Sequence, residues 1–160
     1  MGKKKAPKTR AIRALDAAGV SYGLHPYAYV PRGGTRASSE ALGVDEHIVV
    51  KTIVCLADGK EPVIVLMHGD QQVSGKALAR HLGVKSAGPA DPAVAERHTG
   101  YQVGGTSPFG TRKPLPIVVQ DSVLGLERVY VNGGRRGLLV DLAPGVFVEV
   151  LGAVPADVAQ

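Results

Sequence analysis

The 160-residue chain contains one cysteine, Cys55, and no tryptophan. A single cysteine excludes an internal disulfide framework and a cysteine-rich zinc site, and it fits a cytosolic protein. Five tyrosines and two phenylalanines are its only aromatic residues, which argues against a broad base-stacking surface. Its apolar runs are far shorter than the ~20 residues that span a bilayer. Arg13 and Asp16 interrupt any signal-peptide core, so we expect no membrane partner.

The excess of positive charge lies at the start of the chain. The net charge is +5, and residues 1–13 hold six of the 19 basic residues and no acid. The rest of the chain is close to neutral, with 13 basic and 14 acidic residues. Such a segment suits a phosphate backbone, although a solvated tail that aids solubility explains the charge equally well. We therefore expect a flexible basic arm at residues 1–5 and a single domain at residues 6–160.

Cap residues and glycines divide the chain into alternating helices and strands. One helix is predicted over residues 7–18. Three more are predicted by a cap residue at the start and a glycine at the end: from Ser38 or Ser39 to Gly43, from Ser74 to Gly83, and from Asp91 to Gly100. Strands are predicted over residues 20–29, 48–57, 62–67, 116–119 and 128–131, and Asn132-Gly133 predicts a two-residue turn into residues 136–142. Residues 31–37 are expected to form a loop, and the segment after Pro144 fits a helix or a strand. This pattern indicates one mixed α/β domain with several antiparallel hairpins.

Lys51 interrupts an otherwise apolar strand. The segment from Ile48 to Leu56 is apolar on both faces, as a buried strand should be, and Lys51 shares a face with Val49, Ile53 and Cys55. A lysine in such surroundings must reach solvent, pair with an anion or lose its charge. An edge-strand lysine that blocks aggregation is the alternative. Because a strand apolar on both faces is a poor edge, we interpret Lys51 as facing a cleft.

A glycine-rich loop from Gly104 to Gly110 is the second candidate. Gly104 and Gly105 allow a backbone to approach a ligand and to direct N–H groups at an oxygen atom. Three residues that add hydroxyl groups or fix the turn follow: Thr106, Ser107 and Pro108. The segment matches no phosphate-loop, dinucleotide-binding or nucleophile-elbow pattern. Since a Gly-Gly pair is usually only a turn, the loop becomes a candidate site only together with Lys51.

The other reactive residue types show no pattern typical of a site. Cys55 lies in the middle of an apolar strand and is interpreted as a core thiol. The five histidines lack metal-ligand spacing, so neither a metal nor another cofactor is expected. Arg135 and Arg136 follow two glycines, a pattern that fits either a phosphate contact or an ordinary exposed hairpin.

Four motifs occur together in an order that resembles one family. They are Val50-Lys51-Thr52, Ala90-Asp91-Pro92, the segment TGYQVGGTSPFG at residues 99–110 and the segment YVNGGRRGL at residues 130–138. Over nearly its whole length the chain resembles the YbaK family, relatives of the editing domain inserted in bacterial prolyl-tRNA synthetases. The resemblance implies an α/β fold, with a mixed, mostly antiparallel sheet or partial barrel flanked by helices. It also implies a hydrolase that acts in trans on misacylated tRNA(Pro).

The family resemblance favours cysteinyl-tRNA(Pro) as the substrate. Alanyl-tRNA(Pro) or another small aminoacyl ester is the alternative, and a non-catalytic module that binds the tRNA end or aminoacyl-adenosine is a second one. Misacylated tRNA is thus the expected partner, with prolyl-tRNA synthetase as a further partner that the resemblance suggests, and no DNA partner is expected. In cysteine-specific members the substrate thiol is the expected nucleophile, so no protein nucleophile is required.

The resemblance also assigns roles to residues of this chain. Lys51 matches the family's essential lysine, expected to neutralise a phosphate of the terminal adenosine or to position the ester. Tyr27 matches a pocket tyrosine, and the Gly104-Gly105 backbone is expected to hold the substrate. The remaining expected substrate contacts are Thr52, Thr106, Ser107, Pro108, Gly134 and Asp141. The expected tRNA contacts are Lys3, Lys4, Lys5, Lys8, Arg10, Arg135 and Arg136.

Two departures from the family pattern fall where the aminoacyl group is expected. Leu139 stands where these enzymes often carry an aspartate, and Asp141 is the nearest acid on the same strand face. Residues 32–36 replace a stretch that typically contains an aromatic residue. Both departures leave the deacylase interpretation intact, and both bear on specificity for cysteine.

Overall fold

Two β-sheets and five α-helices make up residues 8–160, the part of the chain that the computed structural model describes. The helices are α1 (Arg10–Ala17), α2 (Gly34–Leu42), α3 (Gly75–Leu82), α4 (Pro92–Thr99) and α5 (Gly145–Leu151). The strands are β1 (Gly23–Pro26), β2 (Val50–Ala57), β3 (Glu61–His68), β4 (Ala87–Pro89), β5 (Ile117–Gln120), β6 (Val129–Asn132), β7 (Leu138–Leu142) and β8 (Val154–Ala156). The predicted arm at residues 1–5, with Lys3, Lys4 and Lys5, lies outside the described residues.

The larger sheet mixes antiparallel and parallel neighbours in the order β4-β2-β3-β5-β8. The β2–β3 and β2–β4 pairs are antiparallel, whereas β3–β5 and β5–β8 are parallel. The smaller sheet, β1-β7-β6, is antiparallel throughout, and a parallel bridge between Val49 and Tyr130 connects it to the larger sheet. This arrangement confirms the predicted α/β class with a mixed, mostly antiparallel sheet.

Helix ends with clear cap residues lie where the sequence predicts them. The Ser74 hydroxyl accepts a hydrogen bond from the Ala77 N–H at the start of α3. Gly83 and Gly100 end α3 and α4 in the left-handed conformation that glycine adopts without strain. At α1 the cap is the Thr9 hydroxyl, which accepts from the Ile12 N–H, so the helix begins later than the predicted residue 7.

The predicted loop at residues 31–37 and the start at Ser38 or Ser39 are wrong, because α2 already begins at Gly34. Arg32 and Gly34 have φ angles of 62° and 61°, and Gly33 supplies no side-chain cap, so no usual start signal marks this helix. Ser38 and Ser39 instead lie inside α2. Their hydroxyl groups donate to carbonyls three residues earlier in the same helix.

Two further details of the second half differ from the prediction. The Gly133 N–H donates to the Leu138 carbonyl, so residues 134–137 form a four-residue turn rather than the predicted two-residue turn. After Pro144 the chain forms α5, which resolves the open choice in favour of a helix. Phe147 of α5 is fully buried, and this burial outweighs the strand-like alternation of the valines around it.

The two faces of β2 and β3 build two hydrophobic cores, as the apolar character of β2 predicts. Val50 and Val54 pack in the larger core with residues of α1, the smaller sheet and α5. Cys55 packs on the opposite face against α3 and the other side of β3. Burial raises the pKa of the Cys55 thiol to about 11, which agrees with its interpretation as a core residue. None of the helices in residues 8–160 is long and apolar enough to cross a membrane.

Candidate functional site

A cavity of about 670 Å³ lies between the two sheets. Its walls are formed by residues within five segments, 27–38, 49–54, 89–95, 103–106 and 132–139, although not every residue of a segment lines the cavity. Segments distant in sequence therefore meet here: the lysine strand, the glycine loop and the hairpin that carries Arg136. Clefts of this size at the junction of two structural layers are typical binding sites for small organic groups.

Lys51 reaches the cavity because β2 is only partly covered along its outer edge. Strand β4 pairs with β2 only at residues 55–57, and the Ala90 N–H then donates to the Val54 carbonyl. The preceding residues of β2 extend beyond this cover, and residues 49–54 all line the cavity. The strand is thus interior at one end and open at the other, which explains how an apolar strand presents a lysine to a cleft.

The surroundings of Lys51 leave its ammonium group without a close counterion. Burial lowers the pKa of Lys51, and the Glu46 and Asp70 carboxylates oppose this shift by raising it. Within residues 8–160 neither carboxylate forms an ion pair with Lys51. A partly buried cation without a paired carboxylate is suited to an anionic or carbonyl oxygen of a ligand.

Thr52, the next residue of β2, supplies a second polar group to the cavity lining. Its hydroxyl oxygen is buried and has no hydrogen-bond partner among the described residues. A buried hydroxyl without a partner costs free energy, so it is a natural point of contact for a polar ligand atom.

The glycine loop lies close to parts of the protein itself. Gly104, at a φ of 88°, lines the cavity, and a Cβ there would lie 2.6 Å from the Tyr29 hydroxyl. Gly105 faces the β6–β7 hairpin, where a Cβ would lie 2.8 Å from the Arg136 nitrogen. The Gly105 N–H is already donated to the Gln102 carbonyl. The two glycines therefore allow close packing of protein segments, a use of the Gly-Gly pair that the sequence did not reveal.

The structure brings together five of the ten residues expected to contact the substrate. Lys51, Tyr27, Thr52, Gly104 and Thr106 line the cavity. The other five, which lie outside the lining, are Gly105, Ser107, Pro108, Gly134 and Asp141.

Several of the residues outside the lining have structural contacts of their own. The buried Ser107 hydroxyl accepts from the Phe109 N–H. Gly134 packs against Thr9 and Ala11 at the start of α1, where a Cβ would lie 3.0 and 3.1 Å from their side-chain atoms. Ser107 is thus used within the glycine loop itself, and Gly134 allows the hairpin to pack against α1.

Asp141 belongs to a charged cluster on the smaller sheet. Its carboxylate lies 2.6 Å from His25 Nε2 and 2.6 Å from Arg128 Nε. Burial raises the pKa of Asp141, but the hydrogen bonds and charges of His25 and Arg128 outweigh that effect and lower it overall. Leu139, two residues earlier on β7, does line the cavity. The position where related enzymes often carry an aspartate is therefore occupied by the apolar Leu139. The nearby carboxylate of Asp141 is paired with His25 and Arg128 instead.

The predicted tRNA-contacting residues lie at different distances from the cavity. Arg136 lines it, with Nε donating to the Val103 carbonyl at 2.9 Å, and Arg135 is exposed on the same hairpin. Arg10 is exposed on α1 beside Gly100, and Lys8 forms a 3.6 Å ion pair with Asp16. Lys3, Lys4 and Lys5 lie outside the described residues.

Among the residues of the cavity wall that sequence reasoning missed are Tyr29 and Asn132. Tyr29 lies two residues after Tyr27, so the alternation of an extended segment was the available signal. Asn132 was interpreted as a turn residue. Its side-chain oxygen instead accepts from the Gly134 and Arg135 N–H groups, and its amide donates to the Gly104 carbonyl.

The residues that line the cavity offer few groups for acid–base chemistry. Among the described lining residues there is no carboxylate, imidazole or thiol. The described chain also contains no group of three or more histidine, cysteine or acidic residues placed to hold a metal ion. Available polar groups are the Lys51 ammonium, the Arg32 and Arg136 guanidinium groups, the Asn132 amide and hydroxyl groups.

The chain is similar in sequence to proteins that edit aminoacyl-tRNA. A candidate Cys-tRNA(Pro)/Cys-tRNA(Cys) deacylase, EbsC of Enterococcus faecalis (strain ATCC 700802 / V583), is 29% identical over 160 residues, which cover 99% of this chain and 98% of that protein. A proline–tRNA ligase of Nitratidesulfovibrio vulgaris is 38% identical over 113 residues. That match covers 69% of this chain but only 17% of the ligase, so the chain corresponds to a small part of such enzymes.

Solved structures share the fold over almost the whole chain. The crystal structure of a candidate trans-editing enzyme for prolyl tRNA synthetase matches with a TM-score of 0.81 at 23% identity, covering 97% of this chain and 99% of that one. The hypothetical protein APE2540 matches with a TM-score of 0.87 at 27% identity, covering 94% and 99% of the two chains.

The family itself is established by sequence. The model of the aminoacyl-tRNA editing domain matches residues 33–149, a range that includes β2, the glycine loop and the β6–β7 hairpin. These segments carry motifs that resemble the YbaK family, and each contributes residues to the cavity wall. The chain therefore belongs to the aminoacyl-tRNA editing domain family and is an aminoacyl-tRNA deacylase of the YbaK type.

Proposed function

We propose that the protein removes cysteine from misacylated tRNA(Pro), with the substrate's own thiol as the nucleophile. The observation that carries this proposal is the composition of the cavity. It contains the Lys51 ammonium and several hydroxyl groups, but no described lining residue is a carboxylate, imidazole or thiol that would serve as a base or strong nucleophile. A substrate that brings its own nucleophile needs mainly positioning and charge stabilisation from the protein.

The proposed reaction proceeds within the aminoacyl group. The cysteine sulfur attacks the ester carbonyl carbon, a C–S bond forms and the C–O bond to the terminal ribose breaks. The thiol proton is transferred to the departing ribose oxygen, and water then opens the cyclic thioester to release free cysteine. Negative charge develops on oxygen during the attack. An ammonium group such as that of Lys51 stabilises this charge strongly in a partly buried site.

The need for such an enzyme follows from the limits of recognition by size. A synthetase pocket made for proline excludes smaller amino acids weakly, because one missing methylene is worth only about 1–3 kcal/mol. A second site that hydrolyses the wrong ester corrects the error. The resemblance of residues 33–149 to editing domains supports this role, and the names of EbsC and of the trans-editing enzyme support tRNA(Pro) as the substrate. We expect the protein to act in the cytoplasm, beside prolyl-tRNA synthetase.

The decisive experiment compares tRNA(Pro) charged separately with cysteine, 2-aminobutyrate, alanine and proline. In 2-aminobutyrate a methyl group replaces the thiol, so it has a similar size without the nucleophile. We expect rapid multiple-turnover release of cysteine, release of 2-aminobutyrate at least ~100-fold slower, and no release of proline. The Lys51→Met variant serves as the inactive control.

The other outcomes separate the alternatives. Faster release of alanine than of cysteine contradicts cysteine specificity and supports an alanyl-tRNA deacylase. Equal rates for cysteine and 2-aminobutyrate contradict the thiol mechanism. Binding of every tRNA without turnover identifies a non-catalytic module.

A further inference from the structure

An arginine side chain lies over a tyrosine ring beside the cavity. The Arg136 guanidinium carbon lies 5.1 Å from the centroid of the Tyr29 ring, over its face. Both residues line the cavity, and Arg136 is exposed to solvent. Because Arg136 is exposed and lines the cavity, its guanidinium group remains accessible to a ligand that enters there.

Hydrogen bonding holds this arginine in place before any ligand binds. Arg136 Nε donates to the Val103 carbonyl at 2.9 Å. The next residue, Gly104, lies against the Tyr29 hydroxyl, and its carbonyl accepts from the Asn132 amide at 3.1 Å. A guanidinium held on one side by an aromatic face and along one edge by a carbonyl loses little freedom when a flat group stacks on it.

Two exposed apolar side chains belong to the same cavity lining. Val30 is 50% exposed and Val103 is 42% exposed, and both line the cavity. Aliphatic groups with this exposure are poor neighbours for a phosphate, whose hydration they would displace, but they suit the edge of a nucleobase.

We propose that Arg136 and Tyr29 form a stacking subsite for the terminal purine base of the tRNA. This inference rests on the proposed function, because it places the last nucleotide of an aminoacyl-tRNA at this cavity. The base stacks on the Arg136 guanidinium, its edge contacts Val30 or Val103, and the attached ester extends inward to Lys51. Single-stranded RNA ends are commonly bound by bases stacked on aromatic rings or on arginine planes.

A two-by-two comparison of protein and RNA tests this subsite. The probes are two uncharged acceptor-stem RNA hairpins that end either in adenosine or in an abasic ribose at the last position. We expect the wild-type protein to bind the adenosine RNA about 5- to 10-fold more tightly than the abasic RNA. Arg136→Lys keeps the charge and removes the plane, and Tyr29→Leu removes the ring beneath it. Both variants should bind the adenosine RNA and the abasic RNA with nearly equal affinity.

Two control variants separate stacking from other roles. Arg80→Lys on α3 and Lys60→Ala in the β2–β3 turn change exposed basic residues that lie outside the cavity lining. Both should keep the wild-type preference for the adenosine RNA. Melting temperatures within a few degrees of wild type confirm that the variants are folded.

Each result decides a different question. An unchanged preference in Arg136→Lys and Tyr29→Leu overturns the stacking subsite. An equal loss of affinity for both RNAs in Arg136→Lys shows that the arginine contacts a phosphate and also overturns it. Failure of the wild-type protein to bind either RNA or to hydrolyse charged tRNA contradicts the proposed function itself.

Discussion

The Asn132 side-chain amide donates a 3.1 Å hydrogen bond to the Gly104 carbonyl, joining the end of β6 to the glycine loop. The same side chain accepts from the Gly134 and Arg135 N–H groups at 2.7 and 3.1 Å. One residue thus ties the start of the hairpin turn to the loop beside the cavity. The position of Gly104 relative to Lys51 therefore depends on how closely the loop and the hairpin pack.

Gly105→Ala should reduce both stability and activity, because the loop then no longer fits against the hairpin. The added Cβ would lie 2.8 Å from the Arg136 nitrogen and 2.9 Å from the Arg135 carbonyl carbon, and backbone atoms cannot rotate away. We expect a loss of about 1–3 kcal/mol in the free energy of unfolding and a lower kcat/KM. Gly125→Ala is the matched control, since nothing lies within 4 Å of its Cβ position. Denaturant unfolding checks both, and a wild-type midpoint for Gly105→Ala contradicts the packing argument.

Lys51→Met should abolish deacylation and leave the domain as stable as wild type or more stable. Burial lowers the pKa of Lys51 in the folded protein below the ordinary value of 10.5, so the charged lysine disfavours folding at pH 7. The stability advantage of the methionine variant should be largest below the lowered pKa and shrink as the pH rises toward 10.5. Thermal unfolding at pH 7 and pH 10 measures this trend. Lys60→Met, which changes an exposed lysine in the β2–β3 turn, is the control and should retain wild-type activity. Deacylation by Lys51→Met at the wild-type rate would contradict the catalytic role of Lys51.

Asp141→Asn should lower stability without changing the choice of amino acid. The pKa of Asp141 is lowered overall, so its carboxylate stabilises the folded protein above the ordinary pKa of 3.8, and this contribution is lost as the pH falls through the lowered value. We expect a loss of about 1–3 kcal/mol at pH 7 that disappears in strong acid. Glu40→Gln, in an exposed pair with Arg36, is a control with little effect. The free energy of unfolding, measured across a pH series, tests the expected loss of stability. A changed ratio of the hydrolysis rates for cysteinyl- and alanyl-tRNA would show instead that Asp141 takes part in substrate selection.

Deleting residues 1–5 should weaken tRNA binding and make it less dependent on salt. The deletion removes three lysines, and each phosphate contact made by a lysine releases counterions and steepens the salt dependence. The preference among aminoacyl groups should not change. A control that replaces the exposed lysines Lys60, Lys76 and Lys85 with glutamine removes the same charge elsewhere. Measuring the tRNA affinity of both variants across a salt series distinguishes them. If the truncated chain shows the same dependence of affinity on salt as the full chain, residues 1–5 do not contact tRNA and serve only solubility.

Local signals in the sequence were sufficient for many of the elements. Ser74 and Gly83 mark both ends of α3, because a hydroxyl cap and a left-handed glycine act within a few residues. The start of α2 carries no such signal. It depends on Arg32 at a positive φ and on packing of Thr35, whose hydroxyl donates to the Glu46 carboxylate. Long-range contacts of this kind cannot be read from neighbouring residues.

The candidate site was predicted in its residue types more than in its geometry. A charge on an apolar strand face pointed to Lys51, which does line the cavity. The reason, a strand covered by β4 over only part of its length, depends on a pairing between segments about 30 residues apart and cannot be read from the residues next to Lys51. Likewise, two adjacent glycines indicate a close approach, but their sequence does not tell whether a ligand or the protein's own hairpin makes it.

The bridge between Val49 and Tyr130 has a consequence for how such an enzyme can change during evolution. Because the two segments run parallel there, Lys51 and Asn132 each lie two residues beyond the junction, and both belong to the cavity walls. Side chains in these walls can be exchanged one at a time, which allows new aminoacyl preferences to arise. Inserting or deleting one residue next to the bridge would shift the rest of that strand by one position, so that its side chains would exchange the two faces of the sheet. We therefore expect the length of the chain beside the bridge to be strictly preserved among descendants.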